Sequence, residues 1–175
     1  MKVSYRRIAA VQYALKYIQY PNPFYPNWEH LGGDCANFIS QCLHAGGQPM
    51  KGSPDTTKTA EDWNNWFSRG SRPSIVNVSS TWRGAQAFRD YWQRHASESR
   101  FFNAMDIDSY NYAQIGDVIS LLNSAGFAYH TLIIVEKQKL DFKVAAHTDS
   151  YIKNGKPYFF GERPLESGFI VYKFL

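Results

Sequence analysis

The sequence predicts an α+β domain in which helices come first and an antiparallel sheet follows. Apolar residues recur at helical spacing through the first half of the chain. The second half turns to short runs rich in Val, Ile, Thr and Phe, bounded by turn residues. At 175 residues the chain is long enough to bury one core, so residues 1–175 are read as a single domain.

Tyr5 to Ile18 reads as a helix with Ile8, Val11, Leu15 and Ile18 on one face, stopped by Pro21-Asn22-Pro23. A loop follows, closed by Gly32-Gly33. The next helix starts near Asp34. Cys35, Phe38, Ile39, Cys42 and Leu43 follow the i, i+3, i+4, i+7, i+8 pattern, and Gly46-Gly47 ends it. A helix from Lys58 to Phe67 is expected on the strength of Trp63, Trp66 and Phe67. Ser79-Ser80-Thr81 offers an N-cap for a helix from Trp82 to about His95. Phe101 to Tyr112 looks irregular. Strands are placed at Asp117–Leu122, Thr131–Val135, Phe142–Thr148 and Phe169–Phe174.

Composition narrows the class. Hydrophobic residues are 44% of the chain and aromatics 17%, which excludes a disordered polymer. The net charge of +4 suits an anionic partner such as a wall polymer. The basic residues are scattered, without a basic stripe or a reader motif, so nucleic acid is not an expected partner. No run of about 18 apolar residues exists, so no membrane span is expected. Met1 to Ala14 reads as an amphipathic helix and not as a signal peptide, which makes the cytoplasm the default location. A monomer is expected. Cys35 and Cys42 would lie about 10 Å apart along one helix, too far for a disulfide. Two free thiols suit a reducing compartment or a catalytic thiol.

Cys35 is the residue with the sharpest chemistry. At the first turn of its helix it meets unpaired N–H groups and the positive end of the helix dipole. Both favour the thiolate, and the same N–H groups can hold an oxyanion. Asp34 and Asn37 flank it as near-site residues, and Asn27 and Glu29 lie in the loop before it. Cys42, mid-helix on the apolar stripe, reads as core.

A base is supplied from the sheet. His130 opens one apolar run and His147 closes the next. A hairpin with its loop at about 137–140 sets His130 opposite His147, with Asp149 on the same face. The expected set is therefore Cys35 as nucleophile, His130 as base and then acid, and His147 as the group that orients it, with Asp149 competing for that third role. No cofactor is called for.

These residues carry a resemblance. Gly32-Gly33-Asp34-Cys35-Ala36-Asn37-Phe38-Ile39-Ser40-Gln41-Cys42-Leu43, followed by Ala45-Gly46-Gly47, closely resembles the signature of the bacterial putative amidase domain family. Asn22-Pro23, Ser80-Thr81-Trp82, Gly116-Asp117-Val118, His130–Val135 and His147-Thr148-Asp149-Ser150 extend the match over roughly residues 5–150. That family looks like a branch of the papain-like superfamily, with NlpC-type peptidases and cysteine- and histidine-dependent amidohydrolases among its relatives. The resemblance implies a helix-borne Cys packed on an antiparallel sheet that supplies the His. It also implies amide bonds of cell-wall peptidoglycan as substrate, and so action at the cell envelope.

Two other readings keep the same residues. One is a non-catalytic wall- or peptide-binding module with an unreactive Cys35. The other is a zinc amidase in which His130, His147 and Asp149 hold the metal.

Overall fold

A computed structural model describes residues 4–52, 63–104 and 106–175. Its helices are α1 (Arg7–Tyr17), α2 (Cys35–Ala45), α3 (Ser80–Arg83), α4 (Ala85–His95) and α5 (Asp108–Tyr112). Its strands are β1 (Glu98–Phe102), β2 (Val118–Leu122), β3 (Ala128–Lys137), β4 (Phe142–Ala145), β5 (Tyr158–Phe159) and β6 (Phe169–Lys173). The strands form one six-stranded antiparallel sheet in the order β1-β6-β2-β3-β4-β5. The α+β class is as expected from the sequence. α5 falls in the stretch expected to be irregular, β1 runs into its start from residues given no element, and β5 is a two-residue strand that no pattern marked.

Side-chain alternation splits the sheet into two buried faces. Val118, Ile133, Val135 and Ala145 face the helices and join Phe38, Cys42, Leu43 and Trp82 in the main core. Ile119, Leu132, Ile134 and Val144 face the other way, onto Phe142, Phe160 and Phe169.

α1 packs with a different stripe from the one read in the sequence. Ala10, Val11, Ala14 and Ile18 are buried, while Ile8 is 65% exposed and Leu15 is 47% exposed. Alanine allows the closer approach to α2, and close approach wins over side-chain size here. The same tightness explains Gly46, where a Cβ would fall 2.3 Å from the Tyr5 ring. α2 stops as its two glycines require. Gly47 takes a φ of 102°, and Gly47 and Gln48 donate to the carbonyls of His44 and Leu43. That pairing satisfies the orphan carbonyls of the last turn.

Two helix expectations need correction. The helix expected from Trp82 is broken by Gly84, whose ψ of 129° is extended, so that α3 and α4 are separate. Of the helix expected over 58–67, residues 58–62 lie outside the described residues. Residues 63–67 form a turn and then a bridge in which Trp66 pairs with Lys51. Trp66 and Trp82 sit at zero exposure with centroids 4.5 Å apart, so aromatic packing decided this segment.

α1 is tied to the sheet by Arg7. It donates to the buried Asp117 carboxylate, to the Ile115 carbonyl at 3.0 Å and to the Phe174 carbonyl at 3.2 Å. Asp117 also receives Lys173 Nζ at 3.0 Å. No helix among the described residues is long and apolar enough to cross a membrane.

Candidate active site

The site forms where β3 outruns β4. β4 ends at Ala145, paired with Ile133, and the chain leaves the sheet there. Ile134 exchanges hydrogen bonds with Gly116 and Asp117 on the β2 side. By alternation Thr131 then turns its N–H to the opposite side, past the end of β4. The head of α2 fills this gap. The Cys35 thiol lies there beside the His130 imidazole and Thr131.

His130 is held from behind. Its Nε2 lies 2.8 Å from Asp149 Oδ2, which leaves Nδ1 for the thiol. Asp149 is buried and saturated. Oδ2 also accepts from Tyr158 at 2.9 Å and from Arg163 Nη1 at 2.7 Å, and Oδ1 accepts the Tyr151 N–H at 2.9 Å. Arg163 donates in turn to the Tyr158 hydroxyl at 2.7 Å.

The electrostatics follow from these contacts. Burial works against an ionised Cys35, yet the hydrogen bond and charge of His130, helped by Thr131, hold the thiol below its ordinary value. Burial works against an imidazolium too, but Asp149 and Cys35 raise His130 to about 9. Asp149, despite its burial, is lowered to about 2 by His130, the Tyr151 N–H and Arg163. The arrangement favours a thiolate–imidazolium pair backed by a carboxylate. Cys42 provides the contrast, because burial without such partners pushes its thiol well up.

His147 was expected to face His130, and it does not. A bulge at Val135 shifts the register of β3 against β4, so that continuing it would set Thr131 and not His130 opposite His147. The His147 ring stacks on Phe38, with Nδ1 2.7 Å from Asp34 Oδ2 and Nε2 2.7 Å from the Tyr17 carbonyl. The next residue explains how Asp149 turns back instead. Thr148 has a φ of 52°, a left-handed conformation that a β-branched residue rarely adopts. That turn breaks the alternation that would put 147 and 149 on one face, and sends Asp149 to His130 while His147 goes to Asp34. The Thr148 hydroxyl accepts the Asp34 N–H at 2.9 Å. Strain of this kind persists where the surroundings over-determine it.

Asp34 and Asn37 are near Cys35 as expected, but they brace the site. Asp34 Oδ1 accepts the Trp28 N–H and Asn37 Nδ2, each at 2.8 Å. Asn37 Nδ2 also reaches the Pro26 carbonyl, and its Oδ1 accepts the Trp82 indole N–H. The Asn37 amide is thereby committed and offers no free oxyanion contact. Asp34 occupies the N-cap position without capping. The first-turn amides, starting with that of Cys35, are left for another acceptor. Beside this site a cavity of about 180 Å³ opens between Asn27, Glu29, His147, Thr148 and Asp149.

Among the described residues no group of three His, Cys, Asp or Glu side chains is placed to hold a metal. The zinc set of His130, His147 and Asp149 therefore fails on geometry, because both ring nitrogens of His147 are turned elsewhere. His30 is exposed, while Nδ1 of His44 and of His95 contacts a nearby carbonyl.

Sequence reasoning held Asp149 as a competitor and missed Tyr158 and Arg163 altogether. Arg163 lies 14 positions beyond Asp149 in a loop, with no periodicity to mark it.

The α+β domain thus sets a helix-head cysteine beside a histidine–aspartate pair, where one strand outruns its neighbour. The chain belongs to the family described as Putative amidase domain, whose model matches residues 4–162. It is similar to two Bacillus subtilis (strain 168) proteins. Uncharacterized protein YhbB is 36% identical over 136 residues, which cover 77% of this chain and 38% of that protein. Uncharacterized protein YjcM is 26% identical over 162 residues, covering 88% of this chain and 33% of that protein. The chain thus spans about a third of the length of these relatives. No solved structure matches it at a significant level.

Proposed function

We propose that this domain is a cysteine-dependent amide hydrolase of papain-like architecture, with Cys35 as nucleophile, His130 as base and acid, and Asp149 as the group that orients His130. The observation that carries the reading is the placing of the Cys35 thiol beside a His130 ring whose Nε2 is fixed 2.8 Å from Asp149.

The chemistry then runs in two halves. The Cys35 thiolate attacks the carbonyl carbon of the amide. The carbonyl oxygen takes up negative charge and is met by the Cys35 N–H at the head of α2, with the helix dipole behind it. The His130 imidazolium gives its proton to the amide nitrogen, the C–N bond breaks and the amine leaves, with a thioester on Cys35. Neutral His130 next takes a proton from water, and the hydroxide formed attacks the thioester. Collapse releases the acid and restores the thiolate–imidazolium pair. Asp149 keeps the ring orientation and stabilises its positive charge throughout.

The substrate reading comes from the family likeness and the charge. Amide bonds of peptidoglycan stem peptides, or of the sugar–peptide link, are anionic polymer targets that suit a chain of net charge +4. That substrate sets the site of action at the cell envelope.

Purified muropeptides incubated with the wild type and with Cys35→Ala, read by mass spectrometry, give the test. The wild type is expected to release a new amine and a new carboxylate, with a mass gain of one water. Cys35→Ala is expected to lose at least about a thousandfold in rate, as removal of a nucleophile does. Equal cleavage by the two proteins would sink thiol catalysis.

A further inference from the structure

Among the described residues the half-buried Arg83 has no counter-ion. Its Nε is buried without a hydrogen-bond partner, and no acceptor or carboxylate among the described residues meets its guanidinium. The guanidinium lies over the Trp28 ring, 5.0 Å from the centroid. Trp28 is itself 94% buried by its 6% exposure, and its indole Nε1 is a second buried donor without a partner. Buried donors are rarely left unmet, so two on stacked side chains point to an absent acceptor.

Their place in the fold says which acceptor. Trp28 donates its backbone N–H to Asp34, the residue before Cys35. Arg83 follows Trp82, whose indole N–H reaches Asn37 in the first turn of α2. Three residues beyond Arg83, Gln86 Oε1 accepts the Ala128 N–H at 2.7 Å, two residues before His130. Arg83 is therefore tied through Trp28 and Trp82 to the segment that carries the thiol, and through Gln86 to the strand that carries the imidazole. A guanidinium fits a carboxylate in a planar, two-bond geometry, and its stacking on the indole fixes the plane.

We propose that Arg83, stacked on Trp28, is the subsite for a carboxylate carried by the substrate near the scissile amide, either a chain-terminal carboxylate or an acidic side chain. This rests on the thiolate reading of Cys35 and adds to it the class of peptide preferred.

Alkylation of Cys35 by iodoacetate and by iodoacetamide at pH 7 tests it, since the two reagents differ in carrying a carboxylate or a neutral amide. The absolute iodoacetamide rate reports on the thiolate, and the ratio of the two rates reports on Arg83, so the two readings fail separately. In Arg83→Gln the iodoacetate-to-iodoacetamide ratio is expected to fall roughly tenfold, the worth of one charge-assisted contact. Arg83→Lys is expected to recover part of it. Arg72→Gln, which removes the same charge from an exposed loop, is expected to leave the ratio near that of the wild type. Protection of Cys35 from iodoacetamide by N-acetylalanine points to a chain-terminal carboxylate. Protection by the α-amide of N-acetylglutamate points to an acidic side chain. A ratio in Arg83→Gln no lower than in Arg72→Gln, or protection by neither compound, overturns the subsite.

Discussion

The oxygen Oδ2 of Asp149 is the point on which the proposed chemistry turns, because three donors share it: His130, Tyr158 and Arg163. A carboxylate lowered to about 2 stays ionised across the physiological range, and its hydrogen bond to His130 is the strongest influence raising that ring to about 9 against the cost of burial. The raised imidazolium in turn holds the thiol down. Replacing Asp149 by Asn removes the charge while keeping the shape. His130 then falls back toward about 6.5 and the thiol climbs toward about 8.5. The wild-type alkylation rate of Cys35 by iodoacetamide is expected to reach half its maximum below the ordinary thiol value. In Asp149→Asn that midpoint moves up, and the rate at pH 6.5 drops about tenfold or more, as the thiolate fraction dictates. An unchanged rate–pH curve would remove Asp149 from the site. The sequence alone could show a Cys at a helix head and a His opening a strand, since each is a local feature. It could not show which of His147 and Asp149 turns to His130, because that depends on one left-handed residue, Thr148.

At the scale of elements, legibility followed burial. α2 was readable from end to end, since its apolar face is continuous and its glycines take the last-turn geometry they favour. β2 and β6 are buried along nearly their whole length and were readable as well. β1 was not, because it is an edge strand of Glu98-Ser99-Arg100-Phe101-Phe102 in which Phe102 alone is buried. The hairpin of β3 and β4 was found but misregistered, since a bulge adds one residue that no composition announces. Gly116 sets where β2 enters this sheet. Its φ is +85°, and a Cβ there would lie 2.9 Å from the Arg7 Cβ and 3.2 Å from the Arg7 Cα. Gly116→Ala therefore carries both a backbone penalty of about 1–2 kcal/mol and a clash with α1. Urea unfolding is expected to show a loss of at least about 2 kcal/mol with the slope unchanged. A loss within about 0.5 kcal/mol would mean that α1 can step aside, and that its seat on the sheet is looser than its contacts indicate.

For the whole molecule the question is what keeps the α2 layer pressed on the sheet. α1 lies against α2 and reaches the sheet through Arg7, which spans the Ile115 carbonyl, the Asp117 carboxylate and the Phe174 carbonyl. One side chain near the start of the fold thus fastens the turn before β2 and the residue after β6. Removing it in Arg7→Ala leaves Asp117 fully buried with Lys173 as its remaining cation. Breaking a buried pair from one side costs about 3–5 kcal/mol, and at this chain length each kcal/mol moves the midpoint by roughly 2–4 °C. The thermal midpoint is expected to fall by about 6–20 °C. The site lies elsewhere on the sheet, around His130 near the start of β3, and its charges are set by His130, Asp149 and Arg163, none of which touches Arg7. Measured well below the lowered midpoint, the rate–pH curve of Cys35 alkylation in Arg7→Ala is therefore expected to superimpose on that of the wild type. A shifted curve at an unchanged midpoint would reverse the argument. Arg7 would then act on the thiol through α1 and α2, and the two layers would share one electrostatic unit instead of one clamp.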